Sequence, residues 1–121
     1  MGPAVSVLSV SAQTTEHQGR SYKVVTLAGR VTDATSRRRL RQALEGYAHQ
    51  MPNDLVVDLR LLEAVDRQAL TELVRAAQLA GGLGGWLALA APQPEVEQMI
   101  RASGADRVIA LFGSAEEAMA G

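Results

Sequence analysis

The chain has 121 residues, no cysteine and a formal charge of −1, which leaves room for one core of useful size and excludes disulfide staples, thiolate chemistry and sulfur-ligated metal. The positive charge is almost all arginine, with Lys23 the only lysine, and near-neutrality gives no global basic field for nucleic acid. Four aromatics, Tyr22, Tyr47, Trp86 and Phe112, offer no stacking platform for single strands, so the core must come from Leu, Val, Ile, Ala and Met.

The opening MGPAVSVLSV lacks the basic n-region of a signal peptide. Gly2 and Ser6 fit the loose myristoylation pattern, but Pro3 is a poor neighbour for a modified glycine. A free N-terminus leading into a strand is the plainer reading. Val5, Val7 and Leu8 to Val10 predict that first strand, and the polar stretch SAQTTEHQGRS with Gly19 predicts a turn. Tyr22 to Val31 is β-branched and apolar, a second strand that pairs back as a hairpin. After Thr35 or Ser36 as N-cap the period changes, and Leu40, Ala43, Leu44, Tyr47 and Met51 make one helical face that Pro52 ends. Asp54 to Leu59 is a short continuous apolar run, as in a strand buried on both faces. Asp66 caps a second helix with Leu70, Leu73, Val74 and Ala77 in helical register, and glycines 81, 82, 84 and 85 terminate it. Trp86 to Ala91 is a strand. Pro94 opens a third helix with Val96, Met99 and Ile100 inward, and Gly104 stops it. Arg107 to Phe112 is the last strand, and Ser114 with Glu117 forms a capping box for a helix over Ala115 to Met119.

The order β-β-α-β-α-β-α-β-α predicts an α/β fold: a mixed, mostly parallel sheet with about four helices on one face. The expected core sheet is Val24, Val25, Leu27, Leu55, Val56, Val57, Leu59, Leu87, Leu89, Val108, Ile109 and Leu111. With no repeat, low-complexity tract or linker, residues 1–121 read as a single domain with its core over about residues 5–120. No run approaches the roughly 20 apolar residues of a membrane span, so the expectation is a cytoplasmic protein without membrane insertion.

Catalytic constellations are missing. His17 sits in a polar stretch and His49 near a helix end, neither with a second ligand at metal spacing, and no nucleophile elbow is present. No catalytic residue, metal or cofactor is expected. The cluster AGGLGG follows a helix and precedes a strand, the reverse of a phosphate-binding loop, and reads as a helix stop. The run Arg37, Arg38, Arg39 and Arg41 is either a solvated helix face or a sign of an anionic partner, because cations at a helix start oppose its dipole. That partner is Asp33 in the same loop or an acidic surface elsewhere. Arg67 repeats the pattern next to Asp66. Both helix starts follow strand C-termini, so they share the end of the sheet where ligands of such folds bind.

Two segments, LAGRVTDATSRRRLRQAL and LVVDLRLLEAVDRQALTEL, resemble the STAS domains of anti-sigma factor antagonists, as does the spacing from Gly81 to Ala120. The resemblance implies the STAS fold and a regulatory, non-catalytic domain that binds an anti-sigma factor or a related kinase-like switch protein. It places the partner face on Arg30, Thr32, Asp33, Thr35, Arg37, Arg38, Asp66, Arg67, Gln68, Ala69 and Leu70. The family pattern D-S-S-G falls on Asp66, Arg67, Gln68 and Ala69, so Gln68 stands at the phosphoserine and has no hydroxyl to accept a phosphoryl group. Thr35, Ser36 and Thr71 are the nearest other hydroxyls. Other roles of such domains, as scaffold or accessory subunit of a stressosome-like assembly or a transporter ATPase, and as anion or nucleotide sensor, stay open. So does the choice between monomer and weak homodimer. The arginine- and alanine-rich bias points to a bacterial genome of high GC content.

Overall fold

A two-residue reversal at Gln18 and Gly19, both at positive φ (54° and 80°), starts the architecture and supplies the backbone twist that two-residue hairpins need. In the computed structural model, which describes residues 7–121, it joins β1 (Ser9–His17) to β2 (Arg20–Val31) antiparallel, with His17 opposite Arg20 and Ser9 opposite Ala28. The expected turn over residues 11–21 is therefore mostly strand. β1 is the sheet's edge, and the polarity of an edge strand is easily read as a loop. Val5, the expected start of that strand, lies outside the described residues.

From β2 the chain winds in one direction. It continues through α1 (Ala34–Ala48), β3 (Asp54–Val65), α2 (Arg67–Gly82), β4 (Trp86–Ala90) and α3 (Pro94–Ser103). A short 3-10 turn (Ala105–Arg107), β5 (Ala110–Phe112) and α4 (Ala115–Ala120) complete it. The sheet order is β1-β2-β3-β4-β5, parallel from β2 onward. Crossovers of one hand that always add the next strand on the same side leave their helices on one face. There α1, α2 and α3 close over Val25, Leu27, Leu55, Val57 and Leu89. α4 returns to no strand and lies on the other face, over Val56, Ala88 and Ala90, where the Tyr22 hydroxyl donates to the Met119 carbonyl at 3.0 Å. The expectation of helices on one face thus holds for three and fails for the fourth.

Other boundaries moved for local reasons. β3 runs six residues past Leu59, because it stays paired with β2 through two register shifts. β5 begins only at Ala110; the 3-10 turn precedes it and leaves Val108, expected in the core, 67% exposed. α1 ends at Ala48, so Met51 is 82% exposed rather than part of its apolar face. Val25, Leu27, Leu55, Val56, Val57, Leu59, Leu87, Leu89 and Ile109 are buried as expected, and Val24 and Leu111 partly so. Gly104, at φ 81°, stops α3. Ser114 caps α4, but the Glu117 carboxylate accepts from the Gly113 N–H instead of closing the box on Ser114. Lys23 is buried on the helix face, where its ammonium donates to Gln50 at 3.2 Å and stands 5.4 Å from the centre of the Tyr47 ring.

Gly29 is the tightest backbone contact. Its φ is +97°, and an added Cβ would lie 2.2 Å from the Val7 carbonyl oxygen. Gly29→Ala is expected to cost about 2–3 kcal/mol through left-handed strain and backbone overlap. Gly46→Ala, in the last turn of α1 with open space around it, is expected to add up to about 0.5–1 kcal/mol. Urea unfolding of both variants measures this; a Gly29→Ala midpoint equal to wild type would contradict the close approach.

Candidate functional site

β2 and β3 end level, and everything at the site follows from that. Val31 pairs with Val65, and the Asp66 N–H donates to the Val31 carbonyl at 3.0 Å. Each strand then hands over to a helix through an aspartate. Asp33, not Thr35 or Ser36, caps α1: its carboxylate accepts from the Ser36 N–H at 2.7 Å, and Ser36 Oγ accepts from the Asp33 N–H at 3.2 Å. Thr35 and Ser36 precede the apolar period as caps do, but a capping box places its second member three residues inside, and Ser36 is that member. Asp66 caps α2 as expected, accepting from the Ala69 N–H at 2.8 Å. Its second carboxylate oxygen accepts from the Arg37 guanidinium and so ties the two helix starts together.

That ion pair answers the question raised by the arginine run. Arg37 is paired with Asp66 of the neighbouring loop, not with Asp33. Arg41 and Arg75 approach the buried Glu72 of α2 at 3.7 and 3.3 Å, and Arg39 turns away to donate to the Leu8 carbonyl at 2.7 Å. Glu72 was not singled out from the sequence, although it was legible there: Ala69, Glu72, Leu73, Ala76 and Ala80 share one helical stripe, and a carboxylate on it needs cationic partners. The arginines and Glu72 line a cleft of about 330 Å³ between α1 and α2, and Gln68 and Thr71 stand on its α2 wall.

The residues expected at the partner face divide into three groups. Arg37, Arg38 and Gln68 meet in the α1–α2 cleft. Arg30, Thr32, Asp33 and Thr35 surround a separate depression of about 180 Å³, together with Leu8, Ser36 and Arg39. Arg67 and Leu70 line a third hollow, of about 290 Å³, between α2 and the 3-10 turn. Asp66 belongs with the first group through its ion pair with Arg37. Ala69 is a correction: at 0% exposure it is core and cannot touch a partner through its side chain. Leu70 is also buried, as the floor of its hollow. Gln68 is exposed in the first turn of α2, as expected. Of the three candidate hydroxyls, Ser36 is buried and engaged on both sides by Asp33, whereas Thr35 and Thr71 are exposed. Among the described residues, no three His, Cys, Asp or Glu gather to hold a metal ion.

Residues 14–112 match the family model described as "Mlab, STAS domain". The chain belongs to the STAS domain family. No curated protein shows significant similarity to it. Solved structures share the fold. An anti-sigma factor antagonist from Mycobacterium paratuberculosis is 24% identical over 93% of this chain and 92% of its own, with a TM-score of 0.75. The anti-sigma factor antagonist SpoIIAA of Bacillus, in its unphosphorylated form, is 19% identical over 90% of this chain and 92% of its own, at 0.69. The murine anion transporter Slc26a9 contains the same fold in 22% of its chain, matching 96% of this one at 16% identity and a TM-score of 0.66. In this STAS domain, residues 66–70 carry no hydroxyl, and no helix is long and apolar enough to cross a membrane among the described residues.

The hydrogen bonds from Ser36, backbone first, hold the Asp33 carboxyl below the usual aspartate range; partial desolvation opposes them and Arg37 assists. A depressed folded-state pKa stabilises the fold above the ordinary aspartate value and loses that contribution as pH falls through the folded one. Asp33→Asn keeps a competent cap but cannot ionise. The wild-type advantage in Tm over Asp33→Asn is therefore expected to be largest at neutral pH and to vanish in acid. A difference that does not change with pH would refute the role of the charge.

Proposed function

We propose that this STAS domain is a non-catalytic regulatory module that binds an anti-sigma factor or a related kinase-like switch protein through the helix starts at the C-terminal end of its sheet. The observation that carries this reading is the ion pair between Arg37 and Asp66. It ties two loops into one surface and leaves Gln68 exposed beside it. The arginines, Gln68 and the capping aspartates of that surface are groups that suit recognition of a partner. The fold likeness to anti-sigma factor antagonists supports the choice of partner class.

Gln68 makes the face constitutively competent. A phosphate at a helix start brings nearly two negative charges and new acceptors; a neutral amide at the same place stands for the state without them. Control then resides in expression of the protein or at another hydroxyl, of which Thr35 and Thr71 are accessible.

A second reading, an accessory subunit of a transporter, is favoured by the presence of the fold inside the Slc26a9 anion transporter. The two differ in what the native protein captures in its host: an anti-sigma factor on the first reading, a transporter on the second.

The test is calorimetric titration of a host anti-sigma kinase with wild type and Gln68→Ser, each with and without ATP. Wild type is expected to bind equally in both conditions. Gln68→Ser is expected to become phosphorylated and then to lose at least about tenfold in affinity. Failure of wild type to bind any host anti-sigma factor, or ATP-dependent release of the wild type, would overturn the reading.

A further inference from the structure

The exposed ridge of α2 runs through Arg67, Thr71 and Arg75, spaced i, i+4 and i+8. That is the row of side chains that packs into the grooves of another helix. A hollow lies on each side. On the α1 side, Arg37, Arg38, Arg41 and Arg75 surround the mouth of the 330 Å³ cleft. On the other side, Leu70 and Ala105 floor the 290 Å³ hollow, and Val74 and Val108 wall it. Thr71 is the lip common to both. The smallest side chain of the ridge thus sits at its centre, with an arginine at either end.

The charges are lopsided. α1 and α2 carry six arginines against two glutamates, within a chain of net charge −1. Asp66 and Glu72 engage Arg37, Arg41 and Arg75, but the side chains of Arg38 and Arg67 make no ion pair or hydrogen bond among the described residues. In the same hollow as Arg67, Val108 is 67% exposed. It follows the 3-10 turn and is held there by its N–H, which donates to the Ala105 carbonyl at 3.1 Å. A β-branched apolar side chain held out beside an apolar hollow is poorly placed for water and well placed for a partner.

We propose that the α2 ridge seats an acidic amphipathic helix of the partner protein. Its apolar side chains fill the Leu70–Val74–Val108 hollow, and its carboxylates meet Arg38 and Arg75 across Thr71 and Arg67 at the N-terminal end of the ridge. This rests on the reading that the α2 start faces a partner; it adds the partner's chemistry and carries the interface along α2 to the 3-10 turn. The clefts hold no aromatic side chain for a nucleobase, and their concavity suits a helix better than a flat lipid surface.

The probes are two synthetic amphipathic peptides of about 15 residues with the same leucine spacing, one flanked by glutamate and one by lysine. Fluorescence anisotropy against the full chain reads binding. The glutamate peptide is expected to bind at least about tenfold tighter than the lysine peptide. Arg38→Gln with Arg75→Gln should weaken it by about five- to tenfold and flatten its salt dependence. Val108→Ser should weaken it by a similar factor and leave the salt dependence unchanged. Equal binding of both peptides, indifference to Val108→Ser, or preference for anionic vesicles or oligonucleotide over the glutamate peptide would overturn the proposal. A host anti-sigma factor whose binding is lost in Gln68→Trp but unchanged in Val108→Ser would sink this proposal and leave the functional reading standing. Glutamate-peptide binding with both variant effects, in a protein that binds no anti-sigma factor, would do the opposite.

Discussion

The side-by-side ends of β2 and β3 are the constraint on which the rest of the site depends. β3 holds two residues more than β2 between Asp58 and Ala64, yet pairing resumes, and Val31 comes level with Val65. One extra residue would have turned every later side chain of β3 to the wrong face; each irregularity re-aims it, so that Leu59, Leu62 and Val65 all reach the core. Because the strands finish level, α1 and α2 start level. Only then does the carboxylate of Asp66 lie within reach of Arg37 while still capping its own helix.

The electrostatics at that end follow from geometry rather than composition. Arginine in the opening turns of α1 is unfavourable for an isolated helix. Here the second helix supplies the anions, Asp66 and the buried Glu72. Pairs as exposed as these contribute on the order of 0–1 kcal/mol each, so their main effect is to fix where guanidinium groups point. Glu72 is different in kind. A buried carboxylate is costly without cations, and Arg41 and Arg75 on either side of it hold the mouth of the cleft in one arrangement.

A helix start attracts anions, and this one is flanked by Arg37 and Arg67. Residues 66–70 carry no hydroxyl on which a phosphate could be built, and the anion that the chain itself supplies there is the Asp66 carboxylate. Basic character, a neutral Gln68 and the apolar hollow beyond Thr71 belong to one surface under the proposed function. α4, on the far side of the sheet, is remote from it, and the Tyr22–Met119 hydrogen bond closes that face independently.

Much of the fold was legible because period and caps are local. Asp66, Pro94, Gly104 and Ser114 mark helix ends where they stand, and the β-branched runs of β2 and β3 mark buried strands. The two arginine-rich helix starts share one end of the sheet, as alternating strands and helices require. Where the reading failed, the decisive contact was distant. The polarity of β1 is that of an edge, which only the strand order reveals. Asp33 rather than Ser36 caps α1 because of the turn that β2 ends in. Val108 lost its strand to a 3-10 turn, and α4 crossed to the other face because no further strand called it back. The sequence by itself determined the alternation of elements, the neutral residue at position 68 and the surplus of arginine on two helices. Only the tertiary structure decided which anion each arginine meets, that Ala69 is core while Gln68 is surface, and that a basic cleft and an apolar hollow share one lip. Periodicity is set by neighbours three or four residues away, whereas these pairings join groups about thirty residues apart that meet only when β2 and β3 end together.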